Sequence, residues 1–461
     1  MNFKILIMVN SLYFEKIREK ESSFYRRLWN DLSNVKIIDT HEHTNLMRNL
    51  LTQAYNNQEN KFRLTIPQIF EKSYVHIKNP KNKLGNYVEW ANGIKSYIGT
   101  GYLKAWMIAM EDLYRINAQP ITSKYLQRIE DAINEAYRDD VENNKYDHVS
   151  EIMKNKMNIE KAIVNIDLEV HKELPNDLFV PAAGIPSILN GIKVPTTKVP
   201  DTGGNVVYWY AQEKLKININ EIKTLETYCD ITKRLLKYLK DTAEYCCIKM
   251  QMAYERPLYF PEPPDDLNEI RILFNKIPED EKDVWKFGNY MMHFVLEWTS
   301  INWRVPYQIH TGLARMYDGG SNALNLSYLF QKFPDIYFDL FHGNFPYKNL
   351  AGMLHQIPNI SADLCWLPVI SPTEAKNTLI ELFEVGDMVH TWENHVPNLR
   401  TCLFGGDSGI VEGSYGALQI AKDVLIRALE DLYNRGHIFY KDAEDLARQV
   451  LYENPKRIFK L

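Results

Sequence analysis

The segment IIDTHEH, residues 37–43, sets two histidines on either side of one glutamate, directly after a short apolar run. In an extended chain, residues two apart project to the same side. His41 and His43 would therefore point together, with Glu42 turned away. Two neutral imidazoles on one rigid strand form a two-point ligand for zinc or a similar divalent ion. Alone the pair is a weak signal. With 12 histidines in 461 residues, a chance His-x-His arises roughly 0.3 times per chain.

Three more apolar runs carry a polar residue at the same end. VPYQIHTG (305–312) contains His310, YFDLFHGN (337–344) contains His342, and CLFGGDSG (402–409) contains Asp407. One strand-closing histidine is better explained as a capping or hydrogen-bonded residue. Four apolar runs that all close on His or Asp are hard to credit to packing, and together they point to one metal site.

Four further runs have the same character: KAIVNIDL (161–168), LFVPAAGI (178–185), YCCIKMQMAY (245–254) and ISADLCW (360–366). Short runs rich in Ile, Val, Tyr and Phe read as buried strands. Helical patterns lie between them. SPTEAKNTLIELFE (371–384) opens with a Ser-x-x-Glu box and has Pro372 at its first helical position. Strands alternating with helices imply parallel βαβ units, and eight strands are the count for a closed barrel. The predicted class is α/β, a distorted (β/α)8 TIM-like barrel over residues 35–461 after an N-terminal helical segment, 1–34. The C-terminal ends of barrel strands form the catalytic rim, where His41, His43, His310, His342 and Asp407 would meet.

From 44 to 158 there is no good strand and much helical pattern, including GYLKAWMIAMEDLYRINAQ. This stretch is predicted to be a helical insertion after strand 1 that covers the active-site face. Trp90 and Trp106 are assigned to its own core, DTGGN (201–205) to a hairpin loop, and HTWENH (390–395) to a solvated helix end.

Composition narrows the partners. The chain is 45% hydrophobic and 25% charged with a net charge of −5, typical of a globular protein. The mixed charge suggests neither a nucleic-acid nor a membrane partner. No apolar run approaches a membrane helix, and the opening MNFKILIMVN lacks the marks of a signal peptide. Five cysteines, an odd number with no CxxC, fit reduced thiols in the cytoplasm. Cys365 and Cys402, inside apolar runs, read as small buried hydrophobes.

As a set, DTHEH, QIHTG, FHGNFPY, FGGDSG and the closing LYENPKRIFKL resemble the metal-dependent amidohydrolase superfamily, and most of all its amidohydrolase-related (amidohydrolase 2) branch. IKMQMAYERPL and the FHGNFPY region are also similar to the amidohydrolase-like domain of nodulin-type proteins fused to glutamine synthetase. The resemblance implies that His41 and His43 bind the metal, with His310 as a third ligand. Asp407 would be both a ligand and the proton acceptor for the attacking water. His342 would bind a second metal in binuclear members, or hydrogen-bond the water or substrate in mononuclear ones. Such chemistry needs no nucleophilic Ser or Cys, and the chain has no G-x-S-x-G elbow. The branch is commonly mononuclear, so one divalent ion is expected, zinc first and manganese second.

Lys249, on the fourth strand, shares a face with Cys247 and Gln251. Three roles stand open for it. It could be a carboxylated lysine bridging two metals, as in some superfamily members. It could be a cation for Asp407 or a substrate carboxylate, or part of a structural ion pair. Arg256, in YERPL just beyond that strand, is placed as a substrate clamp for a carboxylate or phosphate, with a surface salt bridge as the plainer alternative.

The expected function is metal-dependent hydrolysis of a C–N or C–O bond in a small polar, anionic substrate. The first alternatives are a non-oxidative decarboxylase or a uronate-type isomerase of the same superfamily, since fold and ligands do not fix a reaction. The second is a non-enzymatic barrel acting as a regulatory or scaffold module. Association of the chain with itself is left open.

Overall fold

The computed structural model describes residues 13–14, 19–43, 63–71, 74–75, 86–117, 120–143, 145–166, 174–189, 205–242, 245–275, 281–314, 319–386 and 399–461. All eight expected strands form: β1 (Ile37–Glu42), β2 (Ile159–Ile166), β3 (Phe179–Gly184), β4 (Cys247–Met250), β5 (Tyr307–His310), β6 (Phe338–Phe341), β7 (Ile360–Asp363) and β8 (Thr401–Cys402). They pair in parallel and in chain order. The return from β8 to β1 is made just beyond the strand. Thr40 N–H donates to Phe404 O at 3.0 Å, and Asp407 N–H donates to His41 O at 2.8 Å. The result is a distorted, nearly closed (β/α)8 barrel.

β8 is far shorter than the run CLFGGDSG suggested. The backbone there leaves the ladder for a side chain, since Gly406 N–H donates to Asp39 Oδ1 at 3.0 Å. The fourth strand also stops early, and Met252–Tyr254 forms a 3-10 turn at its end.

The barrel interior has two zones. Near one end, Ile163, Ala182, Cys247 and Cys402 pack with Ile458 and Phe459 of the C-terminal helix, apart from the main core. Above them the lining is polar. Lys249, Gln308, Asp339 and Ser361 stand side by side in register across β4, β5, β6 and β7. All four are fully or almost fully buried. A barrel of this type is ordinarily filled by branched aliphatic residues, so the polar level is a departure. The large hydrophobic core lies outside the barrel, between strands and helices.

Among its described residues, the insertion is helical: Ile66–Glu71, Tyr87–Ile94, Gly101–Tyr114, Ser123–Glu142 and Asp147–Glu151. Trp90 and Trp106 are buried there, beside Phe70. The helix Val411–Asn434 carries the insertion. Gly416 lets it approach closely, because a Cβ there would meet Ala105 O at 2.0 Å. Buried Glu412 accepts from Tyr137 OH at 2.9 Å and from Tyr114 OH. The N-terminal helix Ser23–Leu32 docks on the same helix through Tyr25 OH, which donates to Asp423 Oδ1 at 2.6 Å.

Local signals fared unevenly. Ser371 caps the helix Pro372–Val385 by accepting from Glu374 N–H. The expected hairpin at DTGGN is corrected at its described residue. Asn205 caps the helix Val206–Glu213, accepting from Val207 N–H at 2.8 Å. An Asn side chain satisfies a free helix N–H as readily as it fills a turn. HTWENH lies outside the described residues. Among the described residues, no helix is long and apolar enough to cross a membrane.

Candidate metal centre

β1 carries His41 and His43 to one point. Both Nε2 atoms face the same oxygen, Asp407 Oδ1, at 3.4 and 3.3 Å. Their rings stand edge to face at 4.6 Å. Two donors about 2.0–2.1 Å from a tetrahedral ion stand about 3.4 Å apart. The spacing of His41, His43 and Asp407 therefore fits a divalent cation set among them, and their donor atoms form one potential metal-holding group.

Electrostatics support the same assignment. Burial and the nearby Lys249 charge hold His41 well below the usual imidazole range. Burial pushes Asp407 up, but hydrogen bonds from His41 and His43 outweigh it and hold the carboxylate well below its usual range. A neutral imidazole beside an ionised carboxylate is the state a metal needs.

Glu42 points away from the histidines and anchors them. Its Oε1 accepts from His43 N–H at 2.7 Å, and its Oε2 accepts from Ser414 Oγ at 2.6 Å. Gly406 makes room for it, since a Cβ there would sit 2.2 Å from Glu42 Oε2. Asp39 Oδ1 accepts from His41 N–H and Gly406 N–H, both at 3.0 Å. These contacts pin the ends of β1 and β8 together, which places Asp407 opposite the histidine pair.

His310 and His342 form a second cluster. His342 Nδ1 lies 2.8 Å from Cys365 O, and its Nε2 lies 3.1 Å from His310 Nδ1. A carbonyl only accepts, so His342 donates from Nδ1 and accepts at Nε2. His310 then donates from Nδ1 and keeps a bare lone pair on Nε2, an atom with no hydrogen-bond partner among the described residues. Burial holds both rings below the usual imidazole range. The three-donor group at the β1 pair is His41, His43 and Asp407, and the His310 ring lies beside His342. A second group joins His342, Cys365 and Asp407.

The backbone is unusual at these positions. His342 (φ 65°), Trp366 (φ 63°) and Asp407 (φ 42°) are all left-handed, although none is glycine. Such strain in non-glycine residues gathers at functional sites.

Lys249 faces the barrel interior, on the same side as Cys247 of the inner cluster. Among the described residues its Nζ has no hydrogen-bond partner, and it lies 3.6 Å from the centre of the Phe341 ring. Burial brings its pKa down to about 8, against the raising influence of Cys365 and Asp407. Arg256 departs from the expected substrate clamp. It is buried and donates to the carbonyls of Pro257, Trp285 and Tyr259 at 3.2, 3.0 and 3.1 Å, and to Asn289 Oδ1 at 2.5 Å. A guanidinium so committed ties its loop to the helix Glu281–Asn302.

Aromatic rings surround the centre. Tyr254 lies 4.4 Å from the His310 ring, and Tyr74 lies 5.4 Å from Trp366. The Asp407 charge pushes the Tyr74 phenol up, followed by burial. Tyr74 comes from the insertion, which thus reaches the rim. Sequence reasoning missed Tyr74, Tyr254 and Trp366, because aromatic residues in loops carry no spacing signal. It also missed the thiol of Cys365, although Cys365 closes a strand run just as the histidines do.

No family model matches the chain. Protein fluG of Emericella nidulans is 27% identical over 163 residues, which are 34% of this chain and 17% of that protein. The chain thus matches under a fifth of that relative's length, and this is thin support for the nodulin-type resemblance. Solved structures are similar over nearly the whole chain. A protein of Lactobacillus casei ATCC 334 described as a metal-dependent hydrolase is 15% identical, covers 93% of this chain and 96% of its own, and has a TM-score of 0.60. Uronate isomerase of Thermotoga maritima is 17% identical, with 95% and 98% covered and a TM-score of 0.64. Glucuronate isomerase of Caulobacter crescentus is 14% identical, with 95% and 94% covered and a TM-score of 0.65. At such identities the likeness establishes the fold.

Proposed function

We propose that the chain is a metal-dependent hydrolase that cleaves a C–N or C–O bond in a small, anionic substrate. The observation that carries this reading is the convergence of His41 and His43 on Asp407 Oδ1 at donor-to-donor spacing. A divalent ion held there, zinc before manganese, would lower the pKa of a water toward neutrality and polarise a substrate carbonyl. The chain's own groups supply the rest. Asp407, ionised and pinned against the β1 pair, takes the proton of the attacking water. His342 and His310, neutral and linked, turn the His310 Nε2 lone pair outward, where it accepts a hydrogen bond from a substrate hydroxyl or amine. Lys249 offers a buried positive charge beneath the rim, suited to a substrate carboxylate. Buried Trp366 and the partly exposed Tyr74 and Tyr254 line the approach to the site.

A second reading is a uronate-type isomerase. It is favoured by the similarity to two isomerases, which covers 95% of this chain in each case, insertion included. A panel of anionic amides, lactones and hexuronates, assayed with metal-loaded protein, separates the two. Hydrolysis of an amide or lactone, lost in Asp407→Asn, is expected. Interconversion of a hexuronate with its keto isomer, without hydrolysis of any panel member, would replace the hydrolase reading.

A further inference from the structure

Cys365 brings a soft donor to the rim. Its thiol lies with His342 and Asp407 in a group whose donor atoms are all within 4.8 Å of one another, and all three residues are buried. Three contacts fix its position. Its N–H donates to Asp363 Oδ1 at 2.8 Å, and its carbonyl accepts from His342 Nδ1 at 2.8 Å. Its Sγ lies against Gly405, where a Cβ would come within 2.4 Å. One residue thus orients the His342 ring and places a sulfur beside it. A partner group that sets a ligand's ring orientation is a regular part of a metal site. Next to the pair, His310 is only 7% exposed and keeps Nε2 without a hydrogen-bond partner among the described residues. Its ring centre is 4.4 Å from that of His342.

We propose that His342, Cys365 and Asp407 form a second metal position beside the His41–His43 position, with the ion taking the His342 Nε2 lone pair in place of the His310 N–H that now donates to it. The inference rests on the metal-centre reading and adds a second ion and a sulfur ligand to it. A thiolate selects zinc or cobalt over magnesium or manganese. Binding exchanges the S–H bond for a sulfur–metal bond, and the thiol proton goes to solvent, one per ion bound.

Cobalt(II) titration of the metal-free, full-length protein tests this by absorption spectroscopy. The wild type is expected to show visible ligand-field bands that saturate at two equivalents, with a near-ultraviolet sulfur-to-cobalt charge-transfer band. Cys365→Ser is expected to saturate at one equivalent and to lose the charge-transfer band. Cys229, Cys246, Cys247 and Cys402 remain in that variant, so a band that persists would belong to another thiol and overturn the proposal. Ligand-field bands without a charge-transfer band in the wild type would overturn it too, while leaving the His41–His43–Asp407 position standing. Absence of both would overturn that position as well. X-ray absorption of the zinc-loaded wild type needs no variant. A sulfur at about 2.3 Å from zinc is expected, and a shell of nitrogen and oxygen alone would contradict it.

Discussion

Arg256 donates four hydrogen bonds, two to carbonyls of the loop that follows β4 and two to Trp285 and Asn289 on the helix Glu281–Asn302. A lysine there keeps the charge but loses the planar fan of donors. Arg256→Lys is expected to lower unfolding stability by about 3 kcal/mol, since buried acceptors lose a charged donor. Metal content should stay unchanged. Urea unfolding and metal analysis of the same preparation check both, and a stable variant with altered ligand binding would restore the clamp role. The sequence located this arginine but not its partners, because carbonyls of 257, 259 and 285 leave no mark in residue type. The signal used was that polar residues close apolar strands. It singled out His41, His43, His310, His342 and Asp407, which the structure sets at neighbouring strand ends, and it passed over Cys365 in ISADLCW because sulfur was not counted with nitrogen and oxygen. The contact of His310 with His342 was not legible, because strand ends fix a residue's height on the rim and not which neighbour its ring meets.

The strands were legible because each is a short apolar run, yet their ends were not. β8 stops where Gly406 turns its N–H to Asp39, a side-chain choice that no run of residue types signals. The polar level inside the barrel has its own consequence. Asp339 and Asp363 face each other there, and Ser361 Oγ donates to Asp339 Oδ1 at 2.6 Å. Burial raises the Asp363 pKa to about 7, whereas an unfolded aspartate titrates near ~4. The folded chain therefore holds this proton more tightly than the unfolded one. The group's contribution is full in acid and is lost as pH rises from about 4 to about 7. Asp363→Asn keeps an acceptor for Cys365 N–H but cannot ionise. The stability of metal-free Asp363→Asn relative to wild type should therefore rise across that window and level off above it. Urea unfolding at a series of pH values checks this, and a gap that stays constant with pH would contradict it. At the insertion, Tyr137→Phe removes the donor to Glu412 Oε2. Hydrogen exchange in the helices Gly101–Tyr114 and Ser123–Glu142 should quicken, and unchanged exchange would show that Glu412 is not their anchor.

Across the whole molecule, the C-terminal residues close the barrel end opposite the metal centre. Phe459 is 2% exposed and packs with Ile163, Ala182, Cys247 and Cys402. Phe459→Ala is expected to cost about 3–5 kcal/mol, the range for emptying an aromatic site in a core. Thermal unfolding checks this, and a loss within experimental error would show that the barrel end does not need the plug. The closing LYENPKRIFKL was legible as a motif, but its place as a floor was not, since it depends on contacts with strands hundreds of residues earlier. One barrel thus holds a hydrophobic floor, a polar middle and a ring of imidazole, carboxylate and thiol at the rim. Chemistry at that rim requires that the ring bind metal. The direct measurement is the metal content of protein purified without chelator, wild type beside His41→Ala, with circular dichroism to verify folding. At least one equivalent of zinc or a similar divalent ion is expected in the wild type, falling at least about tenfold in the variant. A wild type without stoichiometric metal, or a folded variant that keeps all of it, would contradict the account.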